Sequence, residues 1–99
     1  MIQLVNLQVV AEERVRAEVS WDDRTFVYEF WAGEAPTKTE PIRLVKTPKK
    51  FYEDFASYRP REGGGSPTSV FLSSQICKAV FKILDGEHVD LPLVLDAGG

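Results

Sequence analysis

The sequence predicts an α+β fold. An N-terminal antiparallel β-meander of three to four strands is followed by two helices packed on one face of the sheet and by an extended C-terminal tail. Strand patterns with a two-residue period fill residues 2–31, and helical patterns with a 3.6-residue period occur twice between residues 47 and 86. Because 99 residues is an ordinary length for one domain, we expect residues 1–99 to form a single α+β domain.

Residues 25–31, TFVYEFW, form the most apolar predicted strand. Its apolar side chains fall on both parities, with Phe26, Tyr28 and Phe30 on one and Val27 and Trp31 on the other. Successive side chains of a strand point to opposite faces of a sheet, so this strand is apolar on both faces. Such a strand is typical of a central position, and the helices are expected to cover one of its faces.

Two earlier segments predict the strands that precede it. In residues 2–10 the parity of the apolar side chains changes near Asn6, which indicates a β-bulge. Residues 14–21 alternate cleanly, as in a half-buried antiparallel strand. The apolar face of that strand carries Val15, Ala17, Val19 and Trp21. Short polar connectors at residues 11–13 and 22–24 predict that the three strands follow one another as a meander.

Residues 42–46 fit a short fourth strand at a sheet edge, and a helical pattern follows them. Thr47 is the expected N-cap of this helix, and Pro48 its first helical residue. The apolar stripe of the helix consists of Phe51, Phe55 and Tyr58. We expect the helix to end by Arg59, because a proline disfavours helical geometry at the residue before it.

A second helix is predicted to begin with Ser66 as N-cap and Pro67 next, and to end at a C′ glycine, Gly86. Its apolar face consists of Leu72, Ile76, Ala79, Val80 and Ile83. The tail beyond this helix alternates between apolar and polar side chains from residue 89 to residue 95. We expect it to dock as a strand, which Pro92 confines to a sheet edge or a bulge.

The sequence indicates a protein that is not an enzyme and that carries no cofactor. Catalysis requires groups with tunable protonation or nucleophilicity, and the chain has one cysteine, Cys77, and one histidine, His88. Cys77 falls at the border of the second helix's apolar face, where a packed thiol is expected. The acidic residues around His88 match no ligand spacing for zinc or calcium, so we expect no metal site.

The cysteine count and the apolar runs also bear on location. A single cysteine cannot form an internal disulfide, so a cytoplasmic location is expected. No apolar run approaches the length of about 18 residues that a membrane span requires. The first ten residues, MIQLVNLQVV, have no basic region before their apolar part, unlike a signal peptide.

The predicted sheet has more apolar surface than two short helices can cover, which indicates a non-catalytic protein–protein interaction module. We expect association through the aromatic face of the sheet, either with a second copy in a homodimer or with another protein. The expected partner-binding residues are Trp21, Val27, Tyr28 and Trp31. The alternative is that the C-terminal tail covers the second face of the sheet and that the monomer is complete.

The distribution of charge favours a second function, the binding of nucleic acid or another polyanion. Residues 43–61 contain six basic and two acidic side chains, a net charge of +4 within a chain of net charge −3. Tyr52 and Tyr58 supply aromatic neighbours, as in single-stranded nucleic-acid sites. The expected contact residues are Lys46, Lys49, Lys50, Arg59 and Arg61. Because the whole chain is negative, polyanion binding is the alternative to protein association.

Overall fold

The computed structural model describes residues 1–35, 42–56 and 69–95 of the chain. Within these ranges the chain forms five antiparallel strands and two helices. In chain order they are β1 (Ile2–Ala11), β2 (Arg14–Trp21), β3 (Arg24–Ala35), β4 (Ile42–Lys46), α1 (Lys49–Asp54), α2 (Ser69–Leu84) and β5 (Leu93–Val94). The strands lie side by side in one sheet in the order β4-β3-β2-β1-β5. The predicted α+β fold, with its N-terminal meander, is confirmed.

The bulge predicted near Asn6 is present in β1. Leu4 pairs with Val19 of β2, and the next pair is Asn6 with Glu18, so Val5 is the extra residue. A bulge changes the parity of the strand beyond it, and here it turns three apolar side chains of β1 to the same face. These side chains are Ile2, Leu4 and Leu7, and all three are buried. The bulge therefore compensates for the parity change in the sequence, and β1 keeps a single apolar face.

Both helices pack on one face of the sheet, which we call the inner face. On this face Val15 of β2 pairs with Phe30 of β3, and both side chains are fully buried. The helices and the residue that follows α1 add five large core side chains, which are Phe51, Phe55, Leu72, Ile76 and Val80. The opposite side of the sheet is called the outer face. The aromatic row of β3 thus lies on the covered side, and Val27 and Trp31 lie on the outer face.

Helix α1 is shorter than the sequence predicts, and its start is different. Its N-cap is Pro48 with no side-chain cap, because the Thr47 hydroxyl, the expected cap, instead donates a hydrogen bond to Ser73 of α2 at 3.3 Å. Its C-cap is Phe55, whose ring is buried against Phe51 at a centroid distance of 4.7 Å. Tertiary packing therefore sets both ends of α1. The predicted end at Arg59 and the stripe member Tyr58 lie outside the described residues.

Helix α2 ends as the sequence predicts. Gly86 takes a φ of 81°, which glycine adopts without steric cost. Its N–H donates to the carbonyl of Ile83 at 3.2 Å, and the N–H of Glu87 donates to the carbonyl of Lys82 at 2.9 Å. These two bonds are the Schellman motif, which satisfies the last carbonyls of a helix. The predicted N-cap, Ser66, and Pro67 lie outside the described residues.

The tail beyond α2 returns to the sheet as the edge strand β5, as expected from the alternation and from Pro92. Strand β5 pairs antiparallel with β1, and the N–H of Leu95 donates to the carbonyl of Ile2 at 2.8 Å. The Leu95 side chain is fully buried, and its carbonyl accepts a hydrogen bond from Gln75 of α2 at 2.6 Å. Because β1 and β2 separate β5 from β3, the described part of the tail leaves Val27 uncovered.

This arrangement makes the tail a part of the core, and we expect Leu95→Ala to lower the free energy of unfolding by about 2–5 kcal/mol. The change removes a fully buried side chain, whereas Val94→Ala alters a half-buried neighbour in the same strand and should cost about 1 kcal/mol or less. Urea unfolding followed by circular dichroism measures both. Equal losses for the two variants would mean that the tail does not anchor through Leu95.

Candidate interaction surface

The register of β2, β3 and β4 fixes the side chains that share the outer face. Four cross-strand pairs of β2 and β3 lie there, the last being Ser20 with Thr25 at the end away from β4. Trp31 and Gly33 of β3 pair with the outer-face residues of β4. From β2 the face carries Arg14, Arg16 and Glu18; from β3 Val27, Glu29, Trp31 and Gly33; and from β4 Leu44 and Lys46. None of these side chains belongs to the core that the helices cover, and most of them are exposed.

An apolar patch lies at the β4 end of this face. Trp31 is 38% exposed and Leu44 is 44% exposed, and Leu44 pairs with Gly33, two residues beyond Trp31 on the same face. Among the described residues, and apart from Gly33 and its two chain neighbours, no heavy atom lies within 4 Å of the position that a Cβ at Gly33 would occupy. Gly33 therefore leaves a shallow gap between two exposed apolar side chains. We call Trp31, Gly33 and Leu44 the outer patch; Val27, 55% exposed, lies further along β3 beyond Glu29.

Charges of opposite sign are separated along the outer face. Trp31 has a cation on either side, because its cross-strand partners are Arg14 of β2 and Lys46 of β4. Val27, four residues away, is paired with Glu18. Strands rise about 3.4 Å per residue, so roughly 14 Å separates a basic end from an acidic end. The Arg14 guanidinium lies 3.7 Å from the carboxylate of Glu29, and both side chains are exposed, so this ion pair is weak.

The four residues expected to bind a partner lie on two different faces. Val27 and Trp31 are on the outer face. Tyr28 is 4% exposed on the inner face, and Trp21 stacks there on Phe55 at a centroid distance of 5.1 Å. The aromatic face that the sequence favoured for association is therefore the face that the helices cover. The parity pattern alone cannot decide which of two apolar faces the helices take.

Tyr28 belongs to a polar chain that ties β3 to α1. Its hydroxyl donates to Asp54 at 2.8 Å, and the other Asp54 oxygen accepts from Lys50, also at 2.8 Å. Burial, with the neighbouring Asp54, raises the pKa of Tyr28 well above its usual range. The hydrogen bonds from Lys50 and from Tyr28 lower the pKa of Asp54, so its carboxylate is the favoured form. Lys50, predicted to contact a polyanion, is thus engaged within the protein.

The other basic side chains of the predicted polyanion site are spread over several elements. Lys46 is on the outer face and Lys49 is exposed at the start of α1, whereas Arg59 and Arg61 lie outside the described residues. Arg43 binds Glu13 at 3.0 Å and Asp85 at 3.1 Å. These contacts join β4 to the β1–β2 turn and to the end of α2.

The chain's cysteine and histidine have ordinary surroundings. Cys77 is half-buried in α2, and burial raises the pKa of its thiol, which disfavours the nucleophilic thiolate. Its sulfur lies 3.4 Å from the Thr47 hydroxyl. His88 is hydrogen-bonded to Asp90 at 2.8 Å on the surface. In residues 1–35, 42–56 and 69–95 no three histidine, cysteine or acidic side chains are grouped to hold a metal ion.

Sequence reasoning missed Gly33 and Leu44 as parts of a candidate site. Leu44 lies in a five-residue segment between Arg43 and Lys46, and nothing local indicates that it faces the same side as Trp31. That relation depends on the pairing of Gly33 with Leu44. The only indication in the sequence is that Gly33 follows Trp31 by two residues, which places both on the same face of a strand.

Comparisons with protein-family models, with curated proteins and with solved structures found no match to this chain. Neither helix in the described part of the chain has both the length and the apolar character needed to cross a membrane.

The Tyr28–Asp54–Lys50 chain predicts a pH dependence of stability. The pKa of Asp54 is lower in the folded state than its ordinary value of 3.8. Ionised Asp54 therefore stabilises the fold fully above pH 3.8, and this stabilisation is lost as the pH falls through the pKa of the folded state. We expect Asp54→Asn to destabilise the protein at neutral pH, and the difference from the wild type to shrink below about pH 4.

Urea unfolding at pH values from neutral to strongly acidic measures this difference. Glu53→Gln is the matched control, because Glu53 is an exposed carboxyl in the same helix. Its effect on the free energy of unfolding should vary less with pH than that of Asp54→Asn. A constant difference between Asp54→Asn and the wild type at all pH values would contradict the role given to this carboxylate.

Proposed function

We propose that this chain is a non-catalytic protein–protein association module whose partner is a second copy of itself, bound face to face through the outer face of the sheet. The observation that carries the proposal is the outer patch of Trp31, Gly33 and Leu44, exposed beside charges of both signs. Exposed tryptophan with neighbouring apolar surface is typical of interface hot spots.

The pattern of charge along the outer face supports a symmetric partner. A two-fold axis that crosses the strands at the level of Arg16 and Glu29 reverses the direction of the second sheet. Arg14 of one copy then lies opposite Glu18 of the other, because these residues are equally distant from Arg16 along β2. By the same symmetry, Trp31 of one copy lies opposite Val27 of the other. This arrangement matches Arg14 with Glu18 and Trp31 with Val27, while the cross-strand pair of Arg16 and Glu29 lies on the axis and faces the same pair of the other copy.

The edges of the sheet are less suitable for self-association than its outer face. The β4 edge carries Arg43 and Lys46 within five residues, and lysine on an edge strand disfavours edge-to-edge pairing. The β5 edge is two residues long and follows Pro92. Face-to-face packing of two sheets, about 10 Å apart, avoids both edges.

The size of the face indicates the strength of the dimer. Eight residues of β2 span about 27 Å and four strands about 19 Å, giving roughly 500 Å² of flat surface per copy. Standard specific interfaces bury about 800 Å² per partner. We therefore expect a dissociation constant in the micromolar range rather than a permanent dimer.

The first experiment measures the solution mass by analytical ultracentrifugation from about 1 μM to about 1 mM. The mass should rise from that of the 11.1-kDa monomer towards twice that value. Val27→Ala and Trp31→Ala should weaken the dimer, Trp31→Ala by about tenfold or more, because a hot-spot aromatic is lost.

Val9→Ala is the matched control for Val27→Ala. Both valines lie in strands and are similarly exposed, 50% and 55%, but Val9 pairs with the inner-face residue Val15. Circular dichroism checks that each variant stays folded. A monomer at every concentration, or equal weakening by Val9→Ala, would overturn the proposal.

A charge exchange tests the two-fold arrangement itself. Arg14→Glu alone and Glu18→Arg alone each place like charges opposite each other in the dimer, so each should raise the dissociation constant. The double variant restores opposite charges and should recover most of the wild-type affinity at low salt. If the double variant is as weak as the sum of the single variants, the copies do not meet with Arg14 facing Glu18.

One observation favours a second candidate function. Trp31 lies between Arg14 and Lys46, and an aromatic side chain flanked by cations can stack on a base of single-stranded nucleic acid. Glu18 and Glu29 on the same face oppose that partner, so we rank self-association first. If the mass stays monomeric and Trp31→Ala abolishes binding of oligothymidylate at low salt, the second function replaces the first.

A further inference from the structure

A groove of about 370 Å³ lies on the helix side of the molecule, between α2 and the segment that follows it. Phe71 and Ala79 of α2 form one apolar wall, and Val89 and Leu93 form the other. The volume falls in the range of small-molecule sites, about 300–1,000 Å³. This groove is on the opposite side of the sheet from the outer patch, and the proposed self-association makes no use of it.

Both walls of the groove are fixed by contacts already described. The Schellman motif at Gly86 turns the chain back along α2. At the other end, Leu95 is buried in the core, and Gln75 of α2 donates to its carbonyl at 2.6 Å. The segment from residue 87 to residue 94 is therefore held at both ends, so the groove is pre-formed rather than dependent on a ligand.

The charge on the α2 wall is positive. Lys78 and Lys82 lie one helical turn apart, and like charges at this spacing repel each other. Within the described ranges neither ammonium group has an ion-pair partner. On the opposite wall the acidic group is Asp90, which is bonded to His88. A ligand carboxylate beside the lysines would relieve their repulsion.

We propose that this groove binds a small monocarboxylate with a hydrocarbon body, of the medium-chain fatty-acid class. The carboxylate accepts hydrogen bonds from Lys78 and Lys82, and the chain lies on Ala79, Val89 and Leu93. Long lysine side chains can reach an anion at a groove rim while their stems cover apolar surface. The combination of an apolar floor and a two-lysine rim selects an amphipathic anion over a cation or a neutral alcohol.

Titration of the ¹⁵N-labelled full chain with sodium octanoate below its micelle concentration tests the proposal by NMR. Amide shifts should saturate and should concentrate in residues 71–82 and 88–93. Octylammonium, with the same chain and the opposite charge, should bind about tenfold more weakly or worse. Shifts centred elsewhere, equal binding of octylammonium, or no saturable shift would overturn it.

Variants separate this site from the outer face. Lys78→Gln with Lys82→Gln should weaken octanoate binding about tenfold or more, and both lysines are exposed, so the fold should persist. Lys49→Gln removes an exposed lysine of α1 outside the groove and should leave the affinity unchanged. Trp31→Ala should also bind octanoate normally, whether or not the dimer forms. Unaltered binding by the double lysine variant would overturn the proposal.

Discussion

The packing of Phe51 and Phe55 on the aromatic row of β3 is the interaction on which the rest of the structure depends. Phe51 contacts Tyr28 edge-on at a centroid distance of 5.2 Å, and both phenylalanine rings are buried. Each buried phenylalanine contributes about 1.5–3 kcal/mol, and each aromatic pair about 0.5–1.5 kcal/mol more. The six-residue α1 is too short to be helical alone, so this packing also holds the helix. Once these rings occupy the inner face, Val27 and Trp31 can only face outwards.

The sequence predicts those parts of the fold that local patterns determine. Asn6 marks the bulge because parity changes there, and Gly86 marks the end of α2 because only glycine takes its φ readily. The role of Thr47 could not be predicted, because its hydroxyl bonds to a side chain 26 residues away. The sequence pattern also cannot predict which face of β3 the helices cover, because both faces of this strand are apolar.

The candidate site was only partly predictable for the same reason. Val27 and Trp31 could be selected from parity, but Leu44 joins the patch only through the register of β3 with β4. For the basic segment, residues 43–61, the sequence shows how many cations are present but not which of them have carboxylate partners. Its count of cations suggests a polyanion surface, yet Arg43 and Lys50 each have carboxylate partners within the described protein. The charge available to a ligand is therefore smaller than the sequence indicates.

Strand β4 carries Leu44 on the outer face and contacts α2 on the inner face, so the position of Leu44 in the outer patch depends on how β4 is held. The strand pairs with β3 over five residues, and its ties to α2 include the Arg43–Asp85 ion pair and the Arg43 guanidinium over the Phe81 ring at 5.6 Å. The Cys77 thiol of α2 also donates to the carbonyl of Val45 at 3.8 Å. Solvent screens exposed ion pairs, so Arg43 secures this edge only weakly. Leu44 sits on the edge strand β4, whereas Trp31 belongs to β3, which is paired on both sides. The place of Leu44 in the outer patch thus depends on the pairing of β4 with β3, whereas Trp31 is held by strands on both of its sides.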